Sequence, residues 1–475
     1  MTAKLNTGQR LLLAFPGKQN LPADHAEVFR EIQPAGYTLF RHLNIDSPAQ
    51  VLELTRRLQE TAATQDLPPL LIATDQEGGQ LMSVGEGTTQ LPGNMAIGAT
   101  DSTELAYRAG EILGREMTAL GVNVVYAPVC DVNINPQNPV IGVRSFSENP
   151  EQVARLAAAM VTGIQSCGAI AVAKHFPGHG DTASDSHHGI GSLPYDLERL
   201  EEVEFKPFRQ AFSADVKMLM TAHLALPKIQ GESGVPATLS REIIQGLLRE
   251  RLHYDGVVIS DAMDMKAIAQ GDALGGEAVK AIRAGVDILL LTSKLADQRQ
   301  IFGAVRQAWE DGKLDRQEML RSMERIETLR HALRKITLPD FSILNCLAHR
   351  EVAREIAQRS VTLVRDQNGI LPLRLEADKK IAVVLPESED LTPADTSSYL
   401  KPSLADAIRV HHENVQEYVI PHHPSTSDIQ GVLSQLKDAD LVMVGTINAC
   451  SNLGQALLVN QILSTGLPVI AIALR

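Results

Sequence analysis

Short apolar runs recur along the first 300 residues, and turn residues separate them from longer segments of helical periodicity. The runs are mostly continuous rather than alternating, as expected for parallel strands that are covered on both faces. Segments between them, such as 101–121 and 151–168, repeat apolar residues at the spacing of an amphipathic helix. Eight runs fit this description, at 11–17, 36–42, 69–79, 122–132, 169–176, 216–225, 256–265 and 286–293. Eight strand–helix units predict an α/β fold with a (β/α)8 TIM-type barrel.

An open, doubly wound sheet is the alternative arrangement of the same elements. Its dinucleotide-binding form carries a GxGxxG turn after an early strand, and the sequence has no such turn there. Polar residues gather instead where the apolar runs end, as at Asp75, Lys174 and Asp261. Because barrel active sites are built at the carboxyl ends of strands, this distribution favours the barrel. Strand ends also reach solvent, so polarity alone assigns no role to any one of these residues.

The pattern changes near residue 336, which we take as the end of a catalytic barrel domain over 1–336. A proline interrupts the helical period in 337–350, and we assign this stretch to a linker. From residue 351 a helical segment and several short strand-like runs follow. They predict a smaller C-terminal α/β domain over 351–475, which is short or truncated because the sequence stops directly after a strand-like run.

Composition excludes several functional classes. The chain has 44 Lys and Arg against 57 Asp and Glu, a net charge of −13, which disfavours binding to nucleic acid or to an anionic membrane surface. No run approaches the roughly 18 apolar residues of a membrane helix. Four scattered cysteines form no CxxC pair, and the apolar run at 11–15 is too short for a signal peptide. We therefore expect a cytoplasmic protein that binds a small molecule; the oligomeric state stays open.

The densest group of reactive side chains is KHFPGHGDTASDSHH, residues 174–188. Its proline and glycines forbid a continuous helix and predict a loop after the fifth strand. The histidines therefore share no helix face, and without HExxH or a cysteine partner we expect no metal and no cofactor. Asp185 and His187 can form a pair in which the carboxylate fixes the imidazole tautomer. That arrangement suits proton transfer near neutral pH, although a solvated histidine in a flexible loop gives the same spacing.

Other candidate residues follow the remaining strands. Asp261 ends a fully apolar run, where a carboxylate can act as a nucleophile, a base or a metal ligand, or can cap the next helix. Asp75 ends the third run, and Arg144 is the one cation of a turn-rich stretch after the fourth. Together with Lys174 and His175 they predict a polar pocket for a ligand rich in hydroxyl groups.

Four motifs in chain order, D-x-E-G-G, R-S-F-S, KHFPGHG-x4-D-x-H and S-D-A-M-x-M, closely resemble the bacterial β-N-acetylglucosaminidases of glycoside hydrolase family 3. The resemblance spans most of 1–336, and residues 353–373 resemble the start of that family's second domain. It implies a retaining mechanism with Asp261 as nucleophile, His187 as general acid/base and Asp185 as the partner of His187. It also implies that the terminal sugar is held by Asp75, Arg144, Lys174 and His175.

The resemblance implies exo-cleavage of terminal β-linked N-acetylglucosamine from cell-wall muropeptides or chitooligosaccharides. Phosphorolysis of the same donors is an alternative, because a neutral base does not repel an anionic acceptor. A β-glucosidase is a second alternative, although the Asp-x-His loop favours the hexosaminidase, and a non-catalytic sugar-binding barrel is a third. The family usually continues EGG with Arg-x-x-Arg, whereas this chain has Gln80 and Ser83, so a cation that grips the sugar in the family is missing here.

Overall fold

A computed structural model describes residues 6–182, 190–231, 234–334, 337–401 and 403–474. The chain divides into two compact units, Met1–Val361 and Thr362–Arg475. In the described ranges, no helix has the length and apolar character needed to cross a membrane.

Most strands are short, and the longest, β7, has seven residues. The strands are β1 (Leu11–Leu13), β2 (Gly36–Thr38), β3 (Leu71–Thr74), β4 (Gln76–Gly78), β5 (Leu81–Met82), β6 (Val124–Val125), β7 (Ile170–Phe176), β8 (Gly191–Ser192), β9 (Met218–Thr221), β10 (Leu224–Ala225), β11 (Val257–Ser260), β12 (Leu289–Leu290), β13 (Ile381–Pro386), β14 (Val415–Ile420), β15 (Leu441–Thr446) and β16 (Val469–Ala473).

Helices connect these strands. They are α1 (Ala23–Ile32), α2 (Arg41–Asn44), α3 (Pro48–Ala63), α4 (Asn94–Thr100), α5 (Thr103–Ala119), α6 (Pro150–Ser166), α7 (Leu197–Glu202), α8 (Phe205–Ser213), α9 (Pro227–Gln230), α10 (Leu274–Ala284), α11 (Leu295–Glu310), α12 (Arg316–Leu333), α13 (Leu347–Ser360), α14 (Leu404–Arg409), α15 (Thr426–Gln435) and α16 (Leu453–Leu463). A π-helix at Glu242–Arg251 stands between β10 and β11.

Eight parallel strands of the first unit form one sheet in the order β11-β9-β7-β6-β3-β2-β1-β12. A parallel bridge between Ile259 and Ile288 joins the two ends of this sheet, so that it forms a barrel. Every barrel strand lies inside one of the eight predicted runs, and the (β/α)8 prediction is confirmed. The doubly wound alternative is therefore wrong for this unit.

The barrel interior is filled with side chains. In β1, Leu12 belongs to the interior cluster, whereas Leu11 and Leu13 belong to the layer between strands and helices. Ile326 and Leu329 of α12 join the interior cluster. Because the interior is packed, a ligand pocket for this barrel belongs at the strand ends rather than along its axis.

The first unit ends later than the predicted barrel domain. Helix α13 spans the predicted boundary between the linker and the second domain, and it buries Val352 and Ile356 in the core of the first unit. Glu116 of α5 accepts hydrogen bonds from the backbone N–H of Asn345 at 2.9 Å and from Nδ1 of His349 at 2.8 Å. Periodicity predicts that α13 is amphipathic but does not indicate which unit covers its apolar face.

The second unit, Thr362–Arg475, is a smaller α/β unit, as predicted. Its four strands are all parallel and lie in the order β14-β13-β15-β16. Helices α14, α15 and α16 connect them. The continuous apolar strands β13 and β15 occupy the sheet centre and are buried along their whole length, as expected for strands covered on both faces.

Candidate active site

A chain of buried ion pairs lies at the carboxyl end of the barrel and begins at Lys174 in β7. The Lys174 side chain is 1% exposed, and its Nζ lies 2.7 Å from Oδ1 of Asp75 and 2.6 Å from Oε1 of Glu77. Asp75 directly follows β3 and is the more accessible of the two carboxylates. The ammonium group therefore holds Asp75 in place while leaving it open to a ligand.

Glu77 also binds Arg144, through two parallel hydrogen bonds of 2.9 and 2.8 Å. Burial alone would raise the pKa of Glu77, but the charges of Arg144 and Lys174 outweigh it and lower that pKa to about 2. Burial likewise opposes the charge on Arg144, and the Glu77 carboxylate reverses this and raises the Arg144 pKa. Glu77 stands in the D-x-E-G-G motif, but the sequence alone predicts no role for it.

His175, the residue after Lys174, pairs with Asp131. Its Nδ1 lies 2.7 Å from Oδ2 of Asp131, and its Nε2 lies 3.4 Å from Nη2 of Arg144. Burial acts to raise the Asp131 pKa, but the charge of His175 and its hydrogen bond outweigh this and lower it. Asp131 therefore orients the imidazole by holding one ring nitrogen. No sequence motif marks Asp131 for this role.

His179 is structural within this group. Its backbone N–H donates to Oδ1 of Asp131 at 2.6 Å, and its Nδ1 lies 2.9 Å from Oγ1 of Thr182. Burial lowers the His179 pKa to about 4, although the negative charge of Asp131 opposes the shift. The ring is therefore neutral at physiological pH and fixes the path of the chain after β7.

Asp261 directly follows β11, and its side chain is partly exposed. Its backbone N–H donates to the carbonyl of Thr221 at the end of β9, at 3.2 Å, and its Oδ1 accepts from the N–H of Ala262 at 2.8 Å. Burial raises the pKa of the Tyr126 hydroxyl, and the charges of Asp75 and Asp261 raise it further. Both carboxylates therefore lie close enough to Tyr126 to raise its pKa, and both belong to the same end of the barrel.

The two predicted acid/base residues, Asp185 and His187, lie outside the described residues. Asp181, which precedes them in the chain, contacts Tyr195 just before α7, and its Oδ2 lies 3.6 Å from Nη2 of Arg199 in α7. Asp181 accepts a 2.6 Å hydrogen bond from the Tyr195 hydroxyl, and Arg199 donates to Glu204 at 2.7 Å. Burial raises the pKa of Glu204 to about 7, although the Arg199 charge opposes this shift.

Ser83 and Gln80 occupy the positions at which the resembling family usually carries arginines, and both are buried. The N–H of Ser83 donates to the carbonyl of Asp75 at 3.0 Å. The guanidinium of Arg41, the first residue of α2, donates to the carbonyl of Ser83 at 3.2 Å. The guanidinium of Arg41 thus lies beside Ser83, one of the two positions at which the family usually has an arginine, and no local sequence pattern indicates this contact.

The structure brings Asp75, Arg144, Lys174 and His175 together through Glu77 and Asp131, and it places Asp261 at the same barrel end. Within the described residues, no group of three or more His, Cys, Asp or Glu side chains is arranged to hold a metal ion. The cluster offers fixed hydrogen-bond donors and acceptors beside a carboxylate, which suits a ligand rich in hydroxyl groups.

Comparison with known families gives one domain match over most of the first unit. Residues 8–329 match the glycosyl hydrolase family 3 N-terminal domain. The match contains β1 to β12 and every described residue of the cluster.

Individual proteins are also similar. Beta-hexosaminidase A of Pseudoalteromonas piscicida is 35% identical over 78% of this chain and 65% of its own length. The beta-hexosaminidase of Nitrosomonas eutropha is 33% identical over 62% of this chain and 84% of its length. A family 3 β-N-acetylglucosaminidase structure from Paenibacillus sp. str. FPU-7 superposes with a TM-score of 0.93 at 36% identity, covering 100% of this chain and 90% of that one. The chain thus spans just under two thirds of the first relative.

Proposed function

This chain belongs to glycosyl hydrolase family 3, and on that basis we propose that it is a retaining exo-β-N-acetylglucosaminidase. The observation that carries the proposal is the buried chain of ion pairs from Asp75 through Lys174, Glu77 and Arg144 at the barrel end where Asp261 stands. Burying a charge costs free energy unless the charge is paired. Clusters of buried, paired charges are therefore typical of functional sites, where fixed polar groups contact a ligand.

The proposed reaction uses Asp261 as the nucleophile. Its carboxylate attacks the anomeric carbon while His187 protonates the departing glycosidic oxygen, which gives a glycosyl-aspartate. Water then opens this ester: His187 removes a proton from the water, and the carboxylate of Asp261 leaves. Asp185 orients His187. The partial exposure of Asp261 at the end of β11 supports access to a sugar.

The proposed sugar contacts come from Asp75, Arg144, Lys174 and His175. Asp75 is held on one oxygen by Lys174, and its side chain is 23% exposed, so it can accept hydrogen bonds from sugar hydroxyls. The cations are fixed by Glu77 before any ligand arrives. Side chains that are already fixed lose little conformational entropy when a ligand binds, which supports specific binding of a terminal sugar.

For the donor, we propose β-linked N-acetylglucosamine of a muropeptide or a chitooligosaccharide, acted on in the cytoplasm as part of peptidoglycan recycling. The relatives named beta-hexosaminidase, and the structural neighbour named β-N-acetylglucosaminidase, support N-acetylglucosamine over glucose. The ligand is a small carbohydrate in either case.

Four measurements test the proposal. We expect aryl β-N-acetylglucosaminide to be cleaved with a higher kcat/KM than aryl β-glucoside, and Asp261→Asn to abolish cleavage of both. A preference for the glucoside would reverse the donor assignment in favour of a β-glucosidase.

The product formed with and without inorganic phosphate separates the two acceptors, because a sugar 1-phosphate identifies phosphorolysis and the free sugar identifies hydrolysis. A slow fluorosugar donor that leaves no covalent sugar on Asp261 would contradict the mechanism.

A further inference from the structure

A cleft of about 560 Å³ lies at the barrel end opposite the proposed active site. Two of its lining residues define the location: Arg10 directly precedes β1, and Asp287 lies two residues before β12. Asp75 and Asp261, in contrast, directly follow β3 and β11. Parallel strands bring like ends together, so the cleft and the active site lie on opposite faces of the barrel.

The cleft is rich in cations although the chain is acidic. Its lining contains seven Arg and Lys side chains and four carboxylates, whereas the whole chain has a net charge of −13. Three of these cations pair with carboxylates outside the lining, namely Lys280, Lys313 and Arg325. The remaining cations include Arg10, Arg283 and Arg321, which form no ion pair with any residue that the structure describes. Like charges that face one concave surface raise the potential inside it and attract an anion.

Arg10 forms the floor of the cleft and is 2% exposed. Its Nε donates to the carbonyl of Asp287 at 2.9 Å, and its Nη2 donates to the carbonyl of Val286. Its Nη1 meets the thioether of Met319, which is a weak acceptor. Burial lowers the pKa of Arg10 to about 10, an effect that the charge of Asp287 opposes. Among the described residues, the donors of this guanidinium thus reach only neutral acceptors.

Asp287 does not neutralise this floor by itself. Its Oδ2 accepts from Arg249 at 2.7 Å, and its Oδ1 lies 3.5 Å from Arg325, which also pairs with the exposed Asp255 at 2.6 Å. Three guanidinium groups therefore face two carboxylates, the buried Asp287 and the exposed Asp255, and the imbalance favours an added negative charge.

The rim carries further unused donors. Arg283 and Arg321 are exposed, and neither forms an ion pair with a carboxylate among the residues that the structure describes. Ser322 is 3% exposed, and its buried Oγ has no hydrogen-bond partner in the described part of the chain. A buried hydroxyl without a partner costs free energy, which a ligand oxygen would recover.

We propose that this cleft is a second ligand site that binds a compact polyanion with phosphate or carboxylate groups. Guanidinium groups match the paired oxygens of both, and the Ser322 hydroxyl supplies a further donor. The cleft volume lies within the range of small-molecule sites and exceeds the need of one inorganic phosphate. The site is independent of the proposed glycosidase activity, since its residues belong to the other barrel face.

Calorimetric titration of the full chain with pyrophosphate and, separately, with citrate at constant ionic strength tests the proposal. We expect saturable binding of one anion per chain and a rise in Tm with ligand concentration. Arg283→Gln combined with Arg321→Gln should weaken binding at least about tenfold, because two charge-assisted contacts are lost. Both residues are exposed, so the variant should retain its fold.

The matched control is Arg350→Gln combined with Arg354→Gln on α13, which removes the same charge from an exposed surface outside the cleft. This variant should bind pyrophosphate like the unaltered chain, and saturating N-acetylglucosamine should not displace the anion. The proposal is wrong if the unaltered chain binds neither anion, if both double variants lose affinity equally, or if the sugar competes with the anion.

Discussion

Glu77 and Arg144 form a two-pronged ion pair in which neither side chain is more than 3% exposed. Lys174 contacts the same carboxylate as well as that of Asp75, so Glu77 is the partner that the two buried cations share. Removal of this acid leaves both cations without their shared partner, which is more costly than the loss of a surface ion pair. The geometry of the proposed sugar site therefore depends on a residue that we do not expect to touch the sugar.

Glu77→Gln should destabilise the first unit by about 3–5 kcal/mol, the range for breaking a buried ion pair from one side. Urea unfolding at pH 7 measures this change. The surface variant Glu60→Gln, which breaks an exposed pair with Arg56, is the control and should cost about 1 kcal/mol or less. Similar costs for the two variants would show that the Glu77 cluster contributes no special stability.

The same pair predicts an acid-sensitive stability. Because the pKa of Glu77 falls to about 2 in the folded chain from an ordinary value of 4.5, its contribution is present above pH 4.5. The contribution, about 3 kcal/mol by linkage, should be lost as the pH falls from 4.5 towards 2. The measurement is the difference in free energy of unfolding between the unaltered chain and Glu77→Gln across this interval. A difference that does not change with pH would contradict the prediction.

Glu204 predicts the opposite dependence. Its pKa is raised to about 7, so the folded chain favours the protonated carboxyl, and the resulting stability is present below pH 4.5 and lost as the pH rises through 7. Glu204→Gln, which resembles the protonated acid, should therefore gain stability relative to the unaltered chain between pH 5 and pH 8. Thermal unfolding at both pH values measures the effect, and the surface variant Glu198→Gln should show no comparable trend.

Arg41 should serve sugar binding more than chemistry. Its guanidinium reaches the carbonyl of Ser83 beside the Asp75 backbone, so Arg41→Ala should raise KM for the aryl β-N-acetylglucosaminide about tenfold with little change in kcat. Arg350→Ala on α13 is the control for the loss of one positive charge. An unchanged KM, or a loss confined to kcat, would exclude this role.

His187→Ala should affect donors according to their leaving groups. An activated aryl leaving group needs little protonation, so its turnover should fall less than that of an unactivated disaccharide. The comparison is the ratio of kcat/KM values for the two donors in the unaltered chain and in the variant. An equal loss on both donors would remove His187 from the role of acid.

Much of the first unit follows from its sequence, because continuous apolar runs ending in charged residues mark parallel barrel strands. The clustering of Asp75 and Lys174 follows in turn, since both stand at the carboxyl ends of barrel strands. Arg144 joins them because it lies in the turn-rich stretch after β6, the strand between β3 and β7. The contacts of Glu77 and Asp131 depend on side-chain geometry between distant segments, and nothing local distinguishes these acids from solvated ones. The contact of Arg41 with the carbonyl of Ser83 is unpredictable for the same reason, because it depends on how two distant segments are placed.

Helix α13 has a consequence for anyone who expresses the barrel alone. A gene fragment that stops at residue 336 discards the imidazole of His349 and the amide of Asn345, and leaves the Glu116 carboxylate with only the Thr89 donors. It also uncovers the apolar surface under Val352 and Ile356. A soluble, independently folded piece should therefore extend to Val361, and insolubility of a shorter one would say nothing about its chemistry.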